Sequence, residues 1–275
     1  MTPDEKRGRA RLWLRSERAF GLNSLPAAQA IIPPPDDEEE SAPAAATPSI
    51  SRPAVATSVL FESPAPAASL PLHAGSFDSP PLSSQEKEQK LSAMNATEVS
   101  VCVKCRLCEA RTHTVFGEGD PDAQIFFIGE GPGENEDLQG RPFVGRAGQL
   151  LDKMIAAMGL ERKQVFIANI VKCRPPGNRV PAPDEVATCT PYLVRQIEII
   201  RPKVIVTLGL PAAKYMLGTS QTMGRLRGQW QQWRGTKLMP TFHPAYLLRS
   251  YTEENRKMVW SDLKAVMKEL GLPSR

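Results

Sequence analysis

The chain has 275 residues, 34 of them Lys or Arg and 30 Asp or Glu, for a formal net charge of +4. That length serves one or two domains, and the absence of any run of about 18 apolar residues leaves no transmembrane helix to expect. Residues 1–95 hold 9 basic and 12 acidic residues and 13 of the 26 prolines, which leaves 25 basic and 18 acidic residues to a remainder whose charge fits a polyanionic partner.

Residues 1–24 form a short basic segment in which positions 4–20 could make a helix around Leu12, Trp13 and Phe20. Alone such a helix is marginal in water; it is either a frayed tail or a candidate docking peptide for a protein partner or for DNA. The start of the chain shows no hydrophobic signal core. Residues 25–84 are rich in Pro, Ala and Ser, with an acidic run from Asp36 to Glu40. That composition buries too little apolar surface to order itself, so it reads as a disordered linker. Residues 85–275 read as one globular domain. Ser83 and Glu86 have capping-box spacing and predict a helix to about Val101.

The pattern then alternates. The apolar run Ile125–Ile128 predicts a buried strand that ends in a glycine loop. A helix is expected from about Ala147 to Met158, a strand over Val165–Val171 and a helix from Pro183 to about Ile200. A strand over Val204–Leu208, a short helix from Pro211, a strand over Leu238–Phe242 and a helix from about Thr252 to Leu270 complete the chain. Four strands alternating with helices predict a three-layer αβα domain with a mainly parallel four-stranded central sheet.

The loop after the first strand, G-E-G-P-G-E-N-E-D, is glycine-rich and acidic. Phosphates want amides and cations, and neither GxGxxG nor a Walker lysine is present. The loop is therefore suited to a neutral group brought close to backbone and carboxylate, beyond the carboxyl end of a strand.

Five cysteines in a chain without a signal suggest a reducing compartment, the cytoplasm, where clustered cysteines are more often metal ligands than disulfides. Cys102 and Cys105 form a CxxC pair, and Cys173 and Cys189 lie far beyond it. Two pairs remote in sequence suit a four-thiolate site that ties two regions together. A zinc ribbon would more often show a second CxxC, so the long second spacing leans toward an iron–sulfur cluster. Cys108 is a fifth, formally eligible thiol. Asn169, on the apolar strand V-F-I-A-N-I-V, needs hydrogen bonds if buried, and its amide suits the edge of a nucleobase. His243 stands at a strand end before a proline. Phe143 is either core or a stacking platform.

The runs G-E-G-P-G-E-N-E-D, G-R-P-F-V-G-R-A-G, N-I-V-K-C-R-P-P-G-N-R and H-P-A-Y-L-L-R resemble the type-4 uracil-DNA glycosylases, the iron–sulfur branch of their superfamily. The resemblance covers about residues 95–270. It implies an enzyme that flips uracil out of DNA and hydrolyses its N-glycosidic bond, initiating base-excision repair. It implies a [4Fe–4S] cluster held by Cys102, Cys105, Cys173 and Cys189, without Cys108. It places Phe143 in a stack on uracil, Asn169 on the pairing edge, His243 on the leaving base, and Glu136 near uracil C5, with Gly131 in the first catalytic motif. Other branches carry Asp or Asn where this chain has Gly131, so Glu130 becomes the candidate that activates water.

Lys172, Arg174, Arg179, Arg225, Arg227 and Arg249 are expected to meet DNA phosphates. The stretch Ala245-Tyr246-Leu247-Leu248 is a candidate wedge for the gap left by a flipped base. The expected form is a cytoplasmic, nucleoid-associated monomer acting on uracil-containing DNA. The rival readings are a non-catalytic nucleic-acid-binding protein and an iron–sulfur redox protein.

Overall fold

The computed structural model describes residue 77 and residues 80–273. The basic segment 1–24 and nearly all of the linker 25–84 lie outside the described residues.

Six strands make one sheet in the order β1-β3-β2-β4-β6-β5. They are β1 (Glu118–Gly119), β2 (Ile125–Gly129), β3 (Phe166–Asn169), β4 (Val204–Leu208), β5 (Gln231–Trp233) and β6 (Thr236–Thr241). The four expected strands are the inner ones, and they pair in parallel. The expected count of four is corrected to six. β1 and β5 add antiparallel edges of two and three residues, too short to carry a readable alternation.

Around the sheet lie α1 (Ser84–Met94), α2 (Leu107–Ala110), α3 (Glu134–Gln139), α4 (Arg146–Ala157) and α5 (Pro183–Ile200). They are followed by α6 (Leu210–Leu217), α7 (Met223–Leu226), α8 (Pro244–Arg249) and α9 (Glu253–Glu269). The capping box opens α1: Glu86 N–H donates to Ser83 Oγ at 3.4 Å and Ser83 N–H donates to Glu86 Oε2 at 2.8 Å. A π-helical turn, Asn95–Val99, continues α1 nearly to the predicted end. α5 begins at Pro183, whose missing N–H costs nothing at a first helical position. None of the described helices is long and apolar enough to cross a membrane.

β2 shows why the sheet is covered on both faces. Phe126 and Ile128 join a core with Leu91, Leu193 and Ile197. Ile125 and Phe127 point the other way, into a core with Leu151, Ile155, Val259 and Leu263. All five residues of β2 are buried, as a strand between two helical layers requires.

Strand order places the site. β2 runs on through α3 and α4 to β3 at its one side, whereas β4 leads to β6 at the other. The carboxyl ends of β2 and β4 are thus where the winding reverses, the position at which open α/β sheets bind ligands.

Candidate active site

A cavity of about 700 Å³ opens at this reversal, and Glu130, Gly131, Phe143, Asn169, Leu208 and His243 are among its lining residues. They come from the ends of all four parallel strands or the loops that follow them. The sheet register puts Gly129 of β2 directly opposite Asn169 of β3. A Cβ on Gly129 would lie 2.3 Å from Asn169 Oδ1 and 2.6 Å from Phe143 Cζ. Glycine is needed there because an amide and a ring both close on the backbone.

Asn169 is 1% exposed, and its Oδ1 has no hydrogen-bond partner among the described residues. A buried acceptor left unpaired costs about 1–3 kcal/mol. Asn169 is also one of the residues that line the cavity, so this unpaired amide stands beside the space a ligand would fill.

Phe143 is buried, and its backbone is left-handed, with φ 50°. For a bulky residue that conformation costs about 1–2 kcal/mol. Its ring lies 5.6 Å from the His243 imidazole, tilted by 33°. Glu136 also lines the cavity, but three backbone N–H groups take up its carboxylate. Oε1 accepts from Val144 and Gly145, both at 2.8 Å, and Oε2 accepts from Gly133 at 3.1 Å. The acid expected beside a ligand is thus first a clamp on the loop.

His243 caps α8: the Ala245 N–H donates to His243 Nδ1 at 3.0 Å. An accepting Nδ1 leaves the proton of a neutral imidazole on Nε2. Burial pushes the imidazole down to about 4, aided by the Arg249 charge and opposed by Glu136. The ring is therefore neutral near pH 7, with its proton on Nε2. Burial also pushes the Glu130 carboxyl up from its ordinary range. That brings Glu130 closer to the range in which a base can take a proton.

Several residues expected to grip DNA stand elsewhere. Lys172 is 1% exposed; its Nζ donates to Asn169 O at 2.9 Å and to Gln196 Oε1 at 2.6 Å. It is a buried brace behind Asn169 and cannot contact a phosphate. Leu247 is fully buried in the core between α4 and α9, because α8 puts positions 244 and 247 on one face; Leu248 is the exposed leucine. The wedge expected at Leu247 is thereby corrected. Arg227 is held by Asp262 and by Met258 O, so its guanidinium is not free for phosphate. Arg179 lines the cavity but is paired with the buried Glu185, and Arg174 donates to Asn178 Oδ1 at 2.8 Å. Tyr246 stacks against Phe242 with centroids 4.8 Å apart and lines the cavity. Arg249 is exposed at the cavity rim.

Arg227→Ala leaves the buried Asp262 with only Thr241 Oγ1 to satisfy its charge. Unfolding in urea should then show a loss of about 3–5 kcal/mol. A change within 1 kcal/mol of zero would mean the pair is not structural.

Cys102, Cys105, Cys173 and Cys189 line a second, narrow cavity between the residue 102–108 turn and α5. Cys108 lines it too. Among the described residues no group of His, Cys, Asp and Glu converges tightly enough for a single ion. Four thiols around one cavity are nonetheless a donor set of the kind that holds metal centres through thiolates. Their surroundings suit thiolates. Arg111 Nη1 donates to Cys173 Sγ at 3.1 Å, Lys172 N–H donates to Cys189 Sγ at 3.2 Å, and the Tyr192 hydroxyl donates to Cys102 Sγ at 3.6 Å. Burial by itself favours the neutral thiol, pushing Cys189 up to about 12 and also raising Cys173, so a bare thiolate there is penalised unless a cation or metal offsets its charge. Sequence reasoning missed Arg111, which reads as one more surface cation.

Residues 116–264 match the model of the uracil DNA glycosylase superfamily. The chain is similar to the type-4 uracil-DNA glycosylase of Sulfurisphaera tokodaii, 48% identical over 187 residues, 65% of this chain and 84% of that protein. It is similar also to the type-4 uracil-DNA glycosylase of Thermotoga maritima, 47% identical over 178 residues, 64% of this chain and 93% of that protein. A type-5 uracil-DNA glycosylase of Pyrobaculum aerophilum is 30% identical over 146 residues, 47% of this chain and 64% of that protein.

Proposed function

The chain belongs to the uracil-DNA glycosylase superfamily, and from that premise we propose that it removes uracil from DNA by hydrolysing the N-glycosidic bond, leaving an abasic site for base-excision repair. The observation that carries the reading is that Asn169, a residue of the cavity lining, is buried with an Oδ1 that no described residue pairs. Uracil presents an N–H flanked by two carbonyls. Oδ1 accepts that N–H while Nδ2 donates to the adjacent carbonyl. Cytosine presents an acceptor and an amine at the same places, so both bonds fail, and a buried polar site left unpaired discriminates strongly.

The base must first leave the duplex, at a cost of roughly a few kcal/mol. Stacking on Phe143 returns about 1–3 kcal/mol. As the bond to the sugar breaks, negative charge gathers on uracil and positive character on the sugar. His243 donates from Nε2 to the base carbonyl where that charge develops, an effect worth about 2.7–4 kcal/mol if it matches an oxyanion-hole donor. Glu130 orients water toward the sugar and accepts its proton. Gly131 leaves that role to Glu130, having no side chain of its own.

Cys102, Cys105, Cys173 and Cys189 would hold a [4Fe–4S] cluster, supported by their shared cavity and its N–H donors. Bound there, it would supply four iron–thiolate cross-links and no step of the reaction. Cys108 stays outside the ligand set. Arg249 and Tyr246 at the cavity rim, with the exposed Leu248 between them in sequence, form the DNA-facing edge. The same reading makes the protein a cytoplasmic monomer associated with the nucleoid.

The test is release of free uracil from a uracil-containing oligonucleotide, followed across pH. A neutral His243 should keep kcat/KM from falling around pH 6.5, the ordinary histidine value, and an acid limb from His243 should lie near 4. His243→Ala should lower kcat by about 10²–10³-fold. Tight binding with no uracil released would favour the non-catalytic rival.

A further inference from the structure

We propose that Arg162 and Glu136 are positioning residues that lock the Phe143 peptide from opposite sides, making its ring a preformed platform for the flipped base. The proposal rests on the reading of the cavity as a uracil pocket.

Phe143 sits in a backbone conformation that it would not choose alone, with φ 50°. Something must impose it, and two charged groups do so. Arg162 reaches back from the 3₁₀ turn ahead of β3. Its Nη1 donates to Phe143 O at 3.1 Å, and its Nη2 donates to Pro142 O. On the following side the Glu136 carboxylate receives the N–H groups of Val144 and Gly145. The carbonyls of Pro142 and Phe143 are thus held by a cation and the amides of Val144 and Gly145 by an anion.

Arg162 is itself fixed. Its Nε donates to Glu118 Oε1 at 2.7 Å and its Nη1 to Asp152 Oδ1 at 2.6 Å. Its side chain is only 20% exposed, so this grip is partly shielded from solvent. Gly148 completes the support, since a Cβ there would stand 1.9 Å from Phe143 O. The loop backbone can therefore lie directly on the first turn of α4. A lysine at 162 could not replace the arginine, because one ammonium cannot span two carbonyls and two carboxylates in a plane.

A platform held in this way orders little when the base arrives, so binding loses less entropy. Without Arg162 the ring is free to leave the left-handed bend, and the base is held less often in the reactive pose. Misplacement on that scale costs about 10- to 100-fold in rate.

The experiment is a double-mutant cycle on uracil release, with Arg162→Ala, Phe143→Ala and the combination, each checked for folding by thermal denaturation. Arg162→Ala is expected to lower kcat/KM about 10- to 100-fold and to raise the inhibition constant of free uracil. In the Phe143→Ala background the same change should have almost no further effect, because Arg162 acts through the ring. Multiplicative losses in the double variant would overturn the proposal and make Arg162 a general structural residue. Should Arg162→Ala not fold, Asp152→Asn loosens the same guanidinium and runs the same cycle, with a smaller loss expected. A wild-type protein that releases no uracil would instead overturn the assignment of the pocket on which the proposal stands.

Discussion

Asn169→Ala is expected to lower kcat/KM on uracil-containing DNA by about 10²–10³-fold while leaving the folded protein as stable as before or slightly more stable. The two halves of that result have one cause. Asn169 Oδ1 is buried with no partner among the described residues, so no protein group satisfies this acceptor. Removing it relieves the free state and removes the contact made with the base. An amide whose purpose was structural would give the reverse, a large loss of stability and a modest loss of rate. Single-turnover uracil release beside a melting curve separates the two. Asn169→Asp is expected to weaken uracil still further relative to cytosine, because a carboxylate offers the amine of cytosine an acceptor and offers the uracil carbonyl nothing. Activity of Asn169→Ala within tenfold of wild type would remove Asn169 from the recognition of the base.

The second large effect is expected at the thiols. Cys173→Ser should lower iron and sulfide content below stoichiometry and destabilise the fold by more than about 4 kcal/mol, a size that marks loss of a cross-link or metal centre. Cys102 and Cys105 lie on the turn after α1, Cys173 follows β3, and Cys189 lies on α5. The residue 102–108 turn has little apolar mass of its own: Leu107 is buried, but Val103, like Val101 just before the turn, is exposed. Without the cross-links, its attachment depends on hydrogen bonds such as that from Arg106 to Glu185. Iron and sulfide analysis of anaerobically prepared protein, with a melting curve for each variant, provides the check. Full iron retention in Cys173→Ser would take that residue out of the ligand set, and stoichiometric zinc without sulfide would refute the cluster.

The sequence made the inner sheet readable because its strands are buried on both faces and show as unbroken apolar runs, as in Ile125–Ile128. It hid the edges, since Glu118–Gly119 has neither length nor pattern. Side chains were harder than elements. Lys172 stands between a valine and a cysteine in a stretch rich in arginine, and nothing local says that its ammonium turns inward to a carbonyl three residues back. Leu247 and Leu248 are indistinguishable until α8 is known to be a helix, which buries the one a turn from Pro244. Arg162 escaped notice because the atoms it holds near Phe143 are main-chain carbonyls, and carbonyls leave no mark on a sequence. Asn169 and His243 could be singled out because a polar group on an apolar strand and a histidine at a strand end are both conspicuous.

Lys172 joins two things that were described apart. Its ammonium holds the carbonyl of Asn169, its own N–H meets the Cys189 sulfur, and Cys173 is the next residue. Only three residues separate the amide that would read the base from the first thiol beyond it. The chain therefore has no slack there. One residue inserted or deleted between 169 and 173 would put base reader and sulfur out of step at once, and no rearrangement elsewhere could restore both. Related sequences free to vary in loop length should vary it elsewhere, as at the Thr219–Thr222 turn before α7, and keep this interval at a constant count.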